Sequence, residues 1–218
     1  MQTVELFAGT GSFSKVAKAK GHSIFRVEID PIHEAELHAD IFDIQRKNLP
    51  KKVDMIWCSP PCTTFSVASL RHYWINGKPK NAKTWLGIAL IQKTLDLIKE
   101  LQKDNPHLVW FIENPRGMLR KQPFMQNYHR NTVTYCQYGL DYMKPTDIWT
   151  NCFKWLPKKP CKAGASCHTE ARRGSKTGVQ GVWDGGVNNV KTKGTGLNRA
   201  QLRAVIPFAL FEEIFDSI

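Results

Sequence analysis

From the N-terminus to about residue 151, short runs of β-branched and aromatic residues alternate with stretches whose apolar positions recur every three or four residues. The first kind predicts strands over Thr3 to Phe7, Ser23 to Glu28, Val53 to Cys58, Leu108 to Glu113, Asn131 to Cys136 and Asp147 to Thr150. The second predicts helices over Ser12 to Lys20, Pro31 to Leu37 and Thr84 to Lys103. In the last of these, Ile88, Ile91, Leu95 and Ile98 mark one stripe while Lys93, Lys99, Glu100 and Lys103 fall elsewhere, as a helix packed on a sheet requires. Strands alternating with helices predict an α/β fold with a largely parallel sheet.

The periodicity then stops. Between Cys152 and Thr195 the chain is rich in Lys, Gly, Pro and Cys with neither period, and a closing helix is predicted from Asn198 or Arg199 towards Ile218, with Pro207 bending or restarting it. The expected organisation is a core over residues 1–151, an irregular basic insert over 152–196 and a C-terminal helix over 197–218 that returns to the core. With 218 residues and 42% hydrophobic content, one sizeable core is expected. The longest apolar runs, near Trp85 to Ile91 and Val205 to Phe211, fall short of the roughly 18 residues that span a bilayer. No basic-then-apolar leader is apparent, so the expectation is a soluble cytoplasmic protein without a membrane partner.

Charge narrows the partner. A formal net charge of +12 favours a polyanion, nucleic acid first, because basic surfaces gain from phosphate contacts and counterion release. The insert contributes Lys154, Lys158, Lys159, Lys162, Arg172, Arg173 and Lys176 against Glu170, a density that suits phosphate and that a solvated loop would share. Six cysteines point to catalysis, metal binding or burial before disulfides. Cys152, Cys161, Cys167 and His168 in the insert are candidate ligands for a structural zinc ion, with unligated side chains as the alternative.

Four strand ends carry candidate chemistry. Phe7-Ala8-Gly9-Thr10-Gly11-Ser12 links the first strand to a helix, where glycines let backbone amides approach a ligand. Glu28 follows Gly9 by nineteen positions and ends the second strand, where a carboxylate can accept ribose hydroxyls; Asp40 is placed to meet an adenine amino group. The turn lacks the Gly-Lys-Ser of a phosphate loop, so a nucleoside cofactor fits better. At the third strand's end, Ser59-Pro60-Pro61-Cys62 holds a thiol on a rigid turn. Such a thiol, with an ordinary pKa of about 8.5, becomes a nucleophile where a positive field favours the thiolate. Glu113, opening Glu113-Asn114-Pro115 at another strand end, can converge on the same cleft.

Taken in order, Glu5-Leu6-Phe7-Ala8-Gly9-Thr10-Gly11, Val27-Glu28-Ile29-Asp30, Ala39-Asp40-Ile41, Pro60-Pro61-Cys62, Glu113-Asn114-Pro115 and Gln137-Tyr138-Gly139 resemble the cytosine-C5 DNA methyltransferase family, in particular its small virus-encoded members. The resemblance implies a Rossmann-like S-adenosylmethionine-dependent methyltransferase core, with Cys62 as nucleophile towards cytosine carbon 6 and Glu113 holding N3 and N4. It implies that Phe7, Gly9, Gly11, Glu28 and Asp40 contact S-adenosylmethionine, with Ala8, Thr10, Ile29, Ile41 and Pro61 completing the cofactor set. It also implies DNA as partner, either duplex with a flipped cytosine or single-stranded, and a monomer in a prokaryotic or virus-infected cell. Larger members carry Gln after the nucleophile where this chain has Thr63 and Thr64. They carry two arginines where it offers Lys144, the expected support for the target base.

Cations and aromatics interleave from Ser69 to Lys83, as expected of a loop that holds phosphates around a flipped base. Ser66, Arg71, Lys78, Lys80 and Lys83, with Arg172 and Arg173 of the insert, are the candidate nucleic-acid contacts. An RNA (tRNA) methyltransferase of the same fold and a nucleic-acid-binding relative without turnover are the alternatives.

Overall fold

The computed structural model describes residues 1–168, 202 and 204–218. Seven strands form one sheet: β1 (Gln2–Leu6), β2 (Ser23–Glu28), β3 (Leu37–His38), β4 (Met55–Cys58), β7 (Val109–Pro115), β8 (Arg130–Thr134) and β9 (Pro145–Thr150). A separate hairpin pairs β5 (Trp74–Ile75) with β6 (Lys78–Pro79). The sheet order is β3-β2-β1-β4-β7-β9-β8. The strands from β3 to β7 are parallel, whereas β9 runs antiparallel to both β7 and β8. The chain winds outwards from β1 in one direction and from β4 in the other, so a crevice opens at the carboxyl ends of β1 and β4, where open α/β sheets bind ligands.

The central strands read as continuous apolar runs because helices cover both faces. On one face, α3 (Ala82–Asp104) packs Ile88, Ile91, Leu95 and Ile98 against Val4, Leu6, Ile56 and Ile112. On the other, α1 (Ser12–Ala19) and α4 (Phe208–Asp216) pack Phe13, Val16, Phe211 and Ile214 against Trp57 and Phe111. Asn81 caps α3 by accepting the N–H of Thr84 at 3.1 Å. Pro207 stands at the N-cap of α4, so it restarts a helix there. Among the described residues no helix is long and apolar enough to cross a membrane.

Two expectations need correction. Residues 31–37 form no helix: Glu34 and Glu36 reach back to Arg26 on β2, at 2.9 and 2.7 Å, and this ion-pair anchoring replaces an apolar stripe. The segment after Cys62 includes a folded hairpin, because Asn76 and Gly77 both adopt positive φ (49° and 77°), the geometry of a two-residue hairpin turn.

On β1, Glu5 faces α1 and accepts the N–H groups of Phe13 (3.2 Å) and Ser14 (3.0 Å), which offsets part of the cost of burying a carboxylate. Burial still pushes its carboxyl from 4.5 up to about 7. The folded state therefore holds the proton more tightly than the unfolded chain, and stability falls as pH rises from 4.5 through about 7. Relative to Glu5→Gln, the protein is expected to lose about 3 kcal/mol over that window. Chemical denaturation of both proteins across pH checks this; parallel pH profiles would refute it.

Candidate active site

The turn after β1 uses three left-handed residues, Phe7 (φ 59°), Gly9 (φ 49°) and Gly11 (φ 66°), to bring the chain from strand to helix in a few residues. Phe7 is the costly one, since a side chain disfavours this region. Glu28 ties the turn down: Oε2 accepts the Gly9 N–H at 2.8 Å, and Oε1 accepts those of Ile29 (2.9 Å) and Asp30 (3.1 Å). Asp40 Oδ1 accepts the N–H of Phe42 at 3.0 Å and fixes the next turn.

Beside these groups lies a cavity of about 210 Å³. Six expected cofactor residues line it: Phe7, Glu28, Ile29, Asp40, Ile41 and Pro61. Ala8, Gly9, Thr10 and Gly11 shape the adjoining turn without lining the wall. Sequence reasoning missed Val27, Ala39, Phe42, Leu86 and Leu90. Leu86 and Leu90 had a signal, since two leucines four apart lie off the buried stripe of α3. Phe42, Ile29 and Leu86 remain exposed at 41%, 61% and 53%, apolar surface of the kind that marks a ligand site. Apolar walls, two carboxylates and no Lys or Arg among the described lining residues suit an adenosine bearing a sulfonium and disfavour phosphate.

Pro61 joins this cavity to the thiol. After β4, Asn114 Nδ2 donates to the carbonyl of Pro60 at 3.1 Å, and the carbonyl of Cys62 accepts the N–H groups of Phe65 (3.0 Å) and Ser66 (2.9 Å). The half-buried Cys62 thus opens a compact turn. Thr64 braces this turn: its carbonyl accepts Trp74 Nε1–H at 2.6 Å, and its buried side chain lies against α3 at Gly87. A Cβ on Gly87 would stand 2.3 Å from Thr64 Oγ1, and one on Gly117 only 2.1 Å from the Phe65 carbonyl oxygen. Both glycines pack closely on the turn that follows Cys62, a role invisible in sequence because it depends on contacts across the fold.

Because backbone cannot yield as a side chain can, Gly117→Ala is expected to lower stability by about 1–3 kcal/mol and to reduce turnover with it. Thermal melts and initial rates check this. An unchanged melting temperature would show that the two loops do not meet as described.

Cys58, four residues earlier, is fully buried, and both burial and the nearby Glu5 push its thiol up, so it is inert. At the end of β7, Glu113 is buried and accepts the hydroxyl of Tyr135 at 3.1 Å. Burial raises its carboxyl above the usual range, while Lys144 and hydrogen bonds from Tyr135 and Ser59 pull it down in part. Lys144 lies over the Tyr135 ring, Nζ 4.8 Å from its centroid. Tyr135 itself was missed, having been read as an ordinary strand residue; it sits in the turn Tyr135–Tyr138 that follows β8.

Arg71, Lys78, Lys80 and Lys83 are all exposed, on the short helix α2 (Leu70–Tyr73), on β6, just after it and at the start of α3. Buried Trp74 anchors the hairpin beneath them. Ser66 Oγ is engaged in capping, accepting the N–H of Ala68 at 3.4 Å. Arg172 and Arg173 lie outside the described residues. The expected metal set also changes. Cys152 belongs to the apolar core with Trp155 and Phe111, whereas Cys136 stands beside Cys161, Cys167 and His168. Cys152 is turned inwards by the packing of β9's end, with its N–H donated to Thr150 Oγ1 at 2.9 Å.

Residues 1–128 match the family model described as C-5 cytosine-specific DNA methylase. A protein of Frog virus 3 (isolate Goorha), named "Probable DNA (cytosine-5)-methyltransferase", is 27% identical over 224 residues, covering 99% of each chain. Among solved structures, a mutant of Spodoptera frugiperda DNMT2 aligns with a TM-score of 0.45 and 20% identity over 73% of this chain and 53% of its own. The S. pombe Dnmt2 methyltransferase aligns with a TM-score of 0.46 and 14% identity, over 69% and 49%. The chain spans about half the length of these solved structures.

Proposed function

The chain belongs to the C-5 cytosine-specific DNA methylase family, and on that footing we propose that it methylates carbon 5 of cytosine in DNA with Cys62 as nucleophile and Glu113 as acid. The observation that carries this reading is the coupling of the two strand ends: Asn114, next to Glu113, holds the Pro60 carbonyl two residues before Cys62. Acid and thiol are thereby brought to one crevice beside the cavity lined by Pro61.

Cytosine carbon 5 is too weak a nucleophile until carbon 6 carries an added group. Cys62 thiolate adds at carbon 6 while Glu113, kept protonated by burial, gives its proton to N3. The electron pair of the resulting enamine is then available at carbon 5. S-adenosylmethionine, when bound in the cavity, supplies the electrophilic methyl group. Loss of the carbon-5 proton to solvent water and expulsion of the Cys62 thiolate restore the aromatic ring, and N3 returns its proton to Glu113. Tyr135 orients Glu113, and Lys144 behind the ring keeps the acid strong enough to donate. Duplex substrate must present the cytosine flipped, with Arg71, Lys78, Lys80 and Lys83 meeting backbone phosphates.

Glu28 and Asp40 are the polar cofactor contacts in this reading. Loss of Glu28's charged hydrogen bonds in Glu28→Ala is expected to weaken S-adenosylmethionine binding about 10- to 100-fold. Calorimetric titration checks it; a change under about threefold with the fold intact would remove Glu28 from the site. The function itself is tested by incubating the protein with labelled S-adenosylmethionine and either duplex DNA or tRNA, then digesting to nucleosides. Labelled 5-methyldeoxycytidine is the expected product. Label confined to tRNA would move the substrate to RNA, and none in either would leave a binding protein.

A further inference from the structure

The cysteines and histidine outside the active site form a second constellation that methyl transfer does not use. Cys136 comes from the turn after β8, whereas Cys161, Cys167 and His168 come from the segment after β9. Their four ligand atoms lie within 4.8 Å of one another. Cys136 Sγ is 3.0 Å from Cys161 Sγ, and His168 Nδ1 is 3.7 Å from Cys161 Sγ and 3.5 Å from Cys167 Sγ. A tetrahedral zinc ion with Zn–S of about 2.3 Å and Zn–N of about 2.0 Å separates its ligands by about 3.5–3.8 Å, and the distances here straddle that range. A disulfide would need about 2.05 Å, and all the cysteines are free thiols.

Three further observations point to a ligand. Residues 156–168 contain no helix, no strand and no buried residue, yet they adopt a defined path against the core. Leu156, which could have anchored them, is 83% exposed. Hydrogen bonds from Lys158 to Tyr138 and Gln137 and from Cys161 to Thr134 hold their first part, and apolar burial contributes little, as in small irregular segments that metal organises. Gly164, with φ at 81°, turns the chain between Cys161 and Cys167, and the adjacent Cys167 Sγ and His168 Nδ1 stand 3.5 Å apart on one side of it. Finally, Gln137 Nε2 donates to Cys167 Sγ at 3.3 Å, the kind of outer contact that steadies a metal-bound thiolate.

We infer that Cys136, Cys161, Cys167 and His168 bind one zinc ion in a closed Cys3His site that fastens the insert to the turn carrying Tyr135. Four protein ligands leave no open position, so the ion is structural. Its placement links the insert to the catalytic groups, because Cys136 adjoins Tyr135, whose hydroxyl meets Glu113.

The test is metal analysis of the full chain purified from zinc-supplemented cells without chelator. One zinc per chain is expected, falling about tenfold or more in Cys161→Ser and in His168→Ala while Cys152→Ser keeps it. Cobalt in place of zinc should give thiolate charge-transfer and tetrahedral d–d bands. Should the ligand variants fail to fold, Gln137→Ala keeps every ligand and is expected to weaken zinc about tenfold against a chromophoric chelator. Zinc-free protein, a Cys136–Cys161 disulfide in the mass of the alkylated unreduced chain, or metal content indifferent to Cys161 and His168 would each overturn the inference.

Discussion

Cys62→Ala is expected to abolish methyl transfer, with a loss on the order of 10⁴-fold or more, while S-adenosylmethionine binding and the melting temperature stay near those of the parent. Size follows from role. Without addition at carbon 6 the pyrimidine has no route to a nucleophilic carbon 5. Cys58 cannot substitute: it is fully buried on β4, and burial and Glu5 hold it as a thiol. Cys58→Ala should accordingly keep turnover within a few-fold, and assays of the two variants side by side separate a reactive thiol from a packing one. Turnover persisting in Cys62→Ala would end the covalent mechanism.

The second large effect is on Glu113. Glu113→Gln is expected to lower turnover by about 10²- to 10⁴-fold, the range for losing a positioned acid, with little change in cofactor affinity. Its pH signature follows from burial, which raises the carboxyl above the usual range. In the proposed mechanism the protonated form donates to N3, so activity is expected to fall as pH rises through that raised value, and Glu113→Gln is expected to lose this alkaline limb. The same shift acts on stability: the proton is bound more tightly in the folded state, so Glu113 favours folding at low pH and the benefit disappears as pH rises. A rate profile unchanged in shape in Glu113→Gln would assign the limb elsewhere.

What could be read from the chain was whatever depended on local pattern. Six strands, α1 and α3 followed from runs and periods, and the acids and thiol of the crevice were legible because they stand at or just beyond strand ends. The segment over residues 31–37 misled, because its acids pair with Arg26 across the sheet edge and no helical period is needed. The hairpin around Asn76-Gly77 had its signal in that dipeptide, which was overlooked among the cations. Gly87, Gly117 and Tyr135 had none of comparable strength. Their roles are contacts between distant segments: a missing Cβ facing Thr64 or Phe65, and a hydroxyl reaching Glu113 from the turn after β8. Cys152 and Cys136 exchanged places for the same reason, since spacing within the insert says nothing of a thiol that approaches from the core.

The central claim is that Cys62 attacks carbon 6 of cytosine. It is tested most directly by trapping on duplex DNA in which 5-fluorocytosine replaces the target base. Fluorine cannot leave carbon 5 as a proton does, so the adduct persists after methyl transfer. With S-adenosylmethionine present, a denaturation-resistant complex should form whose mass is that of chain, oligonucleotide and one methyl group, with peptide mapping to Cys62. Cys62→Ala should give none. Absence of any adduct under conditions where unfluorinated DNA is methylated, or an adduct that survives in Cys62→Ala, would contradict it.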